Sequence, residues 1–146
     1  AANARFVRMT QGRYSLVRKS ELTDARSRAG LEIAVHDAYT DRLRDAQTLS
    51  GGEGFMASLS LALGLSDVVQ AESGGIRLGA IFIDEGFGHL DDQALDGALA
   101  ALRDLVGGDR AVGVISHVEA VKQQIPGGFE VGIDVRGSLI QARRTS

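Results

Sequence analysis

Cysteine is absent from these 146 residues, which excludes disulfides and cysteine-ligated zinc. Proline occurs once, at Pro126, against 19 glycines, so tight turns are expected and rigid breaks are few. No uninterrupted apolar run approaches the roughly 20 residues that cross a bilayer, and no charged-then-apolar leader opens the sequence. A cytoplasmic protein without a membrane partner is the default expectation. The only lysines are Lys19 and Lys122, and this scarcity excludes a phosphate-binding loop of the Gly-x4-Gly-Lys-Ser/Thr type. The glycine positions before Lys19-Ser20 hold Arg13 and Arg18, and Lys122 is followed by Gln123. A net charge of -3 gives no general nucleic-acid footprint, which needs clustered Lys and Arg. Arg5, Arg8, Arg13 and Arg18 do gather near the start and Arg143-Arg144 near the end; scattered solvated charge is the plainer expectation for them.

What is present is a chain of ordinary single-domain length, 44% hydrophobic, enough for a core. Residues 1–47 read as β-rich: Phe6 to Met9 and Tyr14 to Val17 flank Gln11-Gly12 as a hairpin, and Leu31, Ile33 and Val35 alternate as a half-buried strand. His36 to Asp45 is polar, with a turn near Thr40-Asp41. Residues 54–70 have helical spacing, with Phe55, Leu59, Ala62 or Leu63, and Val69 on one face, broken by Ser73-Gly74-Gly75. Ala80 to Asp84 and Ala111 to Ile115 are short and uniformly apolar, the pattern of buried parallel strands. Between them Gln93 to Val106 is a helix on Leu95, Leu99, Leu102 and Val106, closed by Gly107-Gly108. Glu119 to Ile125 is a short helix stopped by Pro126; Val131, Ile133 and Val135 alternate again, and Gly137-Ser138 turns into Leu139-Ile140. Strand-helix-strand alternation after residue 79 indicates an α/β fold.

Four constellations carry chemistry. Ser50-Gly51-Gly52-Glu53 opens an apolar helix. Ser-x-x-Glu at that point is a capping box, and the bare amides of two glycines at a helix N-terminus also suit an anion; the same residues can serve both ends. Asp84-Glu85 closes an apolar strand, where open α/β sheets bind their ligands. The first carboxylate suits Mg²⁺, directly or through water, and the second suits a general base for an attacking water. Asp91 reads as a helix cap, a role Asp92 could also take. His117 follows a second apolar strand and is placed for a phosphate contact. His36 and His89 have no such setting.

In this order the pieces resemble the signature loop, Walker B strand, D-loop and switch histidine of ABC-type ATPases. TLSGGEGFMASLSLALGL at Thr48 to Leu65, IFIDEGFGHLD and VGVISHVEAVKQQIP are most similar to the SbcC-type exonuclease subunits, relatives of the structural-maintenance-of-chromosomes (SMC) ATPases. The likeness covers roughly residues 46–135. Gly54 stands where serine is usual and His89 where threonine is usual. The resemblance implies an α/β fold: the C-terminal half of an ABC-type ATPase head, with a mixed, mainly parallel sheet flanked by helices and a β-rich N-terminal part. It makes residues 1–146 one lobe, with 1–47 following a long coiled coil and 48–146 carrying the motifs. It further implies ATP and Mg²⁺ as cofactors, Glu85 and His117 as catalytic, and Asp84 as the metal residue. Ser50, Gly51, Gly52 and Glu53 would touch nucleotide held by another head, and Asp91 would lie in the D-loop. The implied partners are the chain's own N-terminal Walker A lobe, a second head in a homodimer, a metal-dependent nuclease subunit of the SbcD type, and DNA. Without Walker A, the segment alone is expected to be inactive. The alternatives are a non-nuclease chromosome-maintenance head and a transporter ATPase domain, whose signature normally carries glutamine where Glu53 stands.

Overall fold

The computed structural model describes residues 1–18, 33–72, 79–106, 110–135 and 137–143. The chain opens with helix α1 (Ala2–Met9), followed by strands β1 (Tyr14–Arg18), β2 (Ile33–Asp37) and β3 (Arg42–Asp45). One turn of 3-10 helix (Ala46–Thr48) leads into the long helix α2 (Gly51–Glu72). Strand β4 (Ala80–Asp84), a second 3-10 turn (Phe87–His89), α3 (Asp92–Val106) and β5 (Ala111–Ile115) form a β-α-β unit. Helix α4 (Glu119–Gln124) and the hairpin strands β6 (Gly128–Asp134) and β7 (Gly137–Arg143) complete the described fold.

The first expected hairpin does not form. Phe6 and Met9, one helical turn apart, are both buried on the inner face of α1. Gln11 and Gly12 adopt left-handed backbone and end that helix, the Gly12 amide donating to the Val7 carbonyl. Three apolar residues in a four-residue stretch are compatible with either element, and burial against α2 and α3 decides for helix. Strand β1 pairs instead with β2, and β2 with β3, all antiparallel. The turn expected at Thr40-Asp41 is present, with Asp41 left-handed. The polar stretch after it nevertheless forms β3, because register against β2 outweighs the weak strand signal of Arg42-Leu43-Arg44-Asp45.

Helix α2 starts earlier than the spacing implies and buries Met56, Leu59 and Leu63, while Val69 is exposed. By length and composition it could cross a membrane; here it is a core helix whose inner face meets α1 and the 3-10 turn at Phe87–His89. On α3, Leu95, Leu99 and Leu102 are buried and Val106 is not. These residues, with Phe6, Met9, Val35 and Phe87, make one core.

Strands β4 and β5 pair in parallel as expected, but they are not buried on both faces. Ile81, Ile83, Val112 and Val114 pack on the core, whereas Phe82 is 75% and Ile115 54% exposed. Among the described residues this sheet has two strands, and only one of its faces is covered. The described sheets are therefore mixed in sense, with parallel pairing confined to β4–β5 and antiparallel pairing elsewhere. In the last hairpin Gly137 opens β7 and pairs with Asp134, so the reversal falls just before it.

Three of the arginines gathered near the start, Arg5, Arg8 and Arg13, make contacts within the fold. Arg5 bonds Asp67 at 2.6 Å and Arg8 pairs with Asp104, fastening α1 to α2 and α3. Arg13 lies over the Tyr14 and Tyr39 rings and within 3.9 Å of Asp37. Arg143 donates to the Lys122 carbonyl at 2.6 Å. The Lys19-Ser20 pair, Leu31, the Ser73-Gly74-Gly75 break, Gly107-Gly108 and Arg144 lie outside the described residues.

Candidate functional site

Strand β4 delivers Asp84 and Glu85 to its carboxyl end. Glu85 has left the strand with φ +58°, a conformation that costs a side-chain-bearing residue on the order of 1–2 kcal/mol. Its amide still donates to the Ile115 carbonyl at 2.9 Å, so the ladder to β5 holds the strained residue. Gly86 follows at φ +97°, where any Cβ would run into the Phe55 ring. Phe55 in turn packs edge-on against Phe87, with centroids 5.0 Å apart. This aromatic pair pins the segment after Glu85 to the first turn of α2. Strain that surrounding structure enforces is characteristic of functional positions.

His117 arrives from the neighbouring strand. After β5 the Ser116 side chain accepts from the Val118 amide at 3.1 Å, shaping a turn that presents the imidazole. His117 Nδ1 lies 2.9 Å from a Glu85 carboxylate oxygen. Both side chains are largely exposed, so the contact contributes little to stability. Asp84, one residue earlier, is exposed at the strand end. Among the described residues there is no cluster of three His, Cys, Asp or Glu groups that could hold a metal. One or two carboxylates without such a cage suit Mg²⁺, which keeps waters and phosphate oxygens as its other ligands.

The signature-like loop forms the expected capping box. The Glu53 amide donates to Ser50 Oγ at 3.2 Å, and the Ser50 amide donates to the Glu53 carboxylate at 2.8 Å. The Ser50 hydroxyl proton remains available to donate elsewhere, so capping and anion contact are compatible. Gly52 is buried against the 3-10 turn: a Cβ there would lie 2.6 Å from the His89 carbonyl oxygen. His89 thus contributes both groups to this junction, its backbone against Gly52 and its ring against Gly51, where a Cβ would lie 3.4 Å from the imidazole. Asp91 is the cap of α3, accepting from the Ala94 amide at 2.8 Å, so Asp92 is the first helical residue.

Ser50, Gly52, Glu53, His89 and Asp91 share the wall of a cleft of about 260 Å³ with Arg13 and Tyr14. Asp84, Glu85 and His117 are not on that wall. The expected site residues therefore form two groups, a strand-end trio and a loop set.

Two residues of the loop set have no short-range sequence signal. The Tyr14 side chain shares the cleft wall with Glu53, and Arg44 Nη1 donates to the Tyr14 hydroxyl at 3.3 Å. Arg44 also donates to the Thr48 carbonyl at 2.7 Å. Burial pushes the Glu53 carboxyl up, but the nearby Tyr14 hydroxyl, the Ser50 hydrogen bonds and the Arg44 charge together hold it below its ordinary value. Tyr14 moves up, through its burial first and the nearby Glu53 carboxylate second. Only the four-residue step from Arg44 to Thr48 was visible in the sequence, and β1 lies too far from the loop for any local pattern to link them.

A family model described as "SbcC/RAD50-like, Walker B motif" matches residues 20–104, more than half of the chain. The SbcC subunit of the SbcCD nuclease of Vibrio cholerae is 56% identical over 124 residues, covering 85% of this chain and 12% of that protein. Among solved structures, a chain from work on ATP-driven dimerisation and DNA-stimulated activation of SMC ATPases superposes with TM-score 0.71 at 17% identity. It covers 97% of this chain and 80% of that one. The SMC head domain of Pyrococcus furiosus bound to the C-terminal domain of ScpA gives TM-score 0.69 at 17% identity, over 98% of this chain and 33% of that one. The structural likeness at this identity establishes the fold: a mixed α/β lobe of the SMC-head kind. The chain spans 12% of the length of the Vibrio cholerae relative. By the extent of the family match, the chain belongs to the SbcC/RAD50-like Walker B family.

Proposed function

We propose that this chain is the C-terminal lobe of the ATPase head of a DNA-processing nuclease complex. In this reading ATP is hydrolysed between two heads, and turnover controls a partner nuclease of the SbcD type on DNA in the cytoplasm. The observation that carries it is the Glu85–His117 pair at 2.9 Å, beside a strand-end aspartate and apart from the Ser50–Glu53 loop. A lobe with these groups separated suits an arrangement in which the two serve different nucleotides.

Asp84 would hold Mg²⁺, directly or through water; the ion supplies charge neutralisation on the phosphates. Glu85 accepts a proton from the attacking water. Its hydrogen bond to His117 Nδ1 orients the carboxylate and leaves Nε2 to meet the terminal phosphate. Ser50 and the Gly51-Gly52 amides present the positive end of α2 to nucleotide held by the other head. Asp91, at the start of α3, faces that same interface. The Walker A lobe of the same polypeptide supplies the remaining phosphate contacts.

Glu85→Gln in the full-length protein is the test. It preserves shape and leaves Asp84 in place, so nucleotide binding measured by titration should persist. Steady-state phosphate release should fall by about 10²–10⁴-fold, the usual contribution of a general base. Turnover within a factor of two of wild type would remove Glu85 from this role. The SMC-head likeness of the fold keeps a non-nuclease chromosome-maintenance head as the second reading. Purification from native cells without a nuclease partner would favour it.

A further inference from the structure

The loop that opens α2 is held from a place that the motifs do not include. Tyr14 is 2% exposed, and its ring stacks near Phe6 with centroids 6.3 Å apart. Arg44 donates to the Tyr14 hydroxyl at 3.3 Å, to the Thr48 carbonyl at 2.7 Å and to Thr48 Oγ1 at 3.4 Å. Beyond Thr48 the capping box closes the loop, with Glu53 and Ser50 bonded to each other and Tyr14 on the same cleft wall. Thr10, just after α1, extends it the other way: its hydroxyl oxygen accepts from the Tyr14 amide at 3.2 Å and its proton is donated to the Phe6 carbonyl at 2.9 Å. Polar contacts therefore run from α1 through the three-stranded sheet to Thr48, at the entry to the loop.

We propose that Tyr14 and Arg44 are positioning residues: they lock the Thr48–Glu53 loop, setting the direction in which Ser50 and the glycine amides point. The consequence for ATP rests on the function proposed above; the positioning itself does not. Arg44 joins the Tyr14 hydroxyl to the Thr48 carbonyl, just ahead of a segment in which Leu49 packs on the core and two glycines follow. Without Arg44, the Thr48 carbonyl and the Tyr14 hydroxyl lose their shared donor. Without the Tyr14 hydroxyl, Glu53 keeps its bond to the Ser50 amide but Arg44 loses one of its acceptors. The Tyr14 ring would still fill its core position as phenylalanine, so the hydroxyl can be removed without opening a cavity.

Tyr14→Phe and Arg44→Gln in the full-length protein separate these statements. Amide hydrogen exchange without nucleotide should accelerate roughly fivefold, the weight of one ordinary hydrogen bond, at Ser50 and Glu53. Amides at Ser60 to Leu63 should be unchanged. The concentration of a non-hydrolysable ATP analogue needed for half-maximal head association should rise by a similar factor, with nucleotide affinity of the single head unaltered. Unchanged exchange at Ser50 and Glu53 in both variants overturns the positioning role. Faster exchange with unchanged ATP-driven association supports positioning and overturns the nucleotide role of the loop.

Discussion

Glu85 occupies backbone that glutamate avoids, at φ +58°, and β5 enforces it through the Ile115 carbonyl. The Asp-Glu pair at a strand end was legible in the sequence because Gly86-Phe87-Gly88 follows it and lets the backbone turn tightly. The left-handed turn at Glu85 was not, since nothing local distinguishes it from the glycine beside it. At Glu53 the same contrast holds. Its capping bond was legible from the Ser-x-x-Glu spacing, and its place on the cleft wall with Tyr14, 39 positions away, was not. That setting has a pH consequence. A carboxyl held below its ordinary value contributes stability that is complete above the unfolded-state value, about 4.3, and is lost as pH falls through the lower folded-state value. Glu53→Gln keeps a side chain able to cap but carries no charge. Thermal melts should therefore show a gap between wild type and Glu53→Gln at pH 6–7. The gap should close as pH drops below the ordinary glutamate range. A gap that stays constant from pH 7 to pH 3 would show that the charge at Glu53 stabilises nothing.

Helix α2 shows at the scale of an element how one stretch answers to two demands. Its first turn must approach the 3-10 turn closely, and its middle must bury Met56, Leu59 and Leu63. Gly52 and Gly54 stand two residues apart in that first turn with opposite needs. A methyl at Gly52 would lie 2.6 Å from the His89 carbonyl and 3.3 Å from Leu90, so Gly52→Ala should destabilise by about 1–3 kcal/mol, the usual cost of overpacking. A methyl at Gly54 meets nothing within 4 Å, so Gly54→Ala should stabilise by roughly 0.5–1 kcal/mol through backbone entropy. Denaturant titration of both variants measures the pair, and equal effects would show that the approach at Gly52 is not tight. The long helices were readable because their apolar spacing is sustained over many turns. Helix α1 was not, since eight residues give little more than one repeat and its staples Asp67 and Asp104 are distant. Strand β3 has a single apolar residue, so only its partner β2 defines it.

Over the whole molecule, apolar surface remains in several places. Leu61, Leu65, Val68 and Val69 are exposed on α2, Phe82 and Ile115 on the parallel pair, and Val131, Ile133 and Ile140 on the last hairpin. Val131 faces Ile140 across the hairpin, so one of its sides is largely apolar. Exposed apolar surface on this scale drives association. Light scattering of the 146-residue chain should report dimers or larger species, reduced by Phe82→Lys; a monomer at every concentration would count against this. The class of fold was legible from the alternation of strands and helices after residue 79. The half-bare state of β4 and β5 was not, because an apolar strand carries no record of which chain covers it. That bareness bears on when the acids at the end of β4 become competent. Two parallel strands on their own are a weak scaffold, and Asp84 and Glu85 inherit whatever play β4 has. In the function proposed above, whatever covers Phe82 and Ile115 also stiffens the strand that carries both carboxylates.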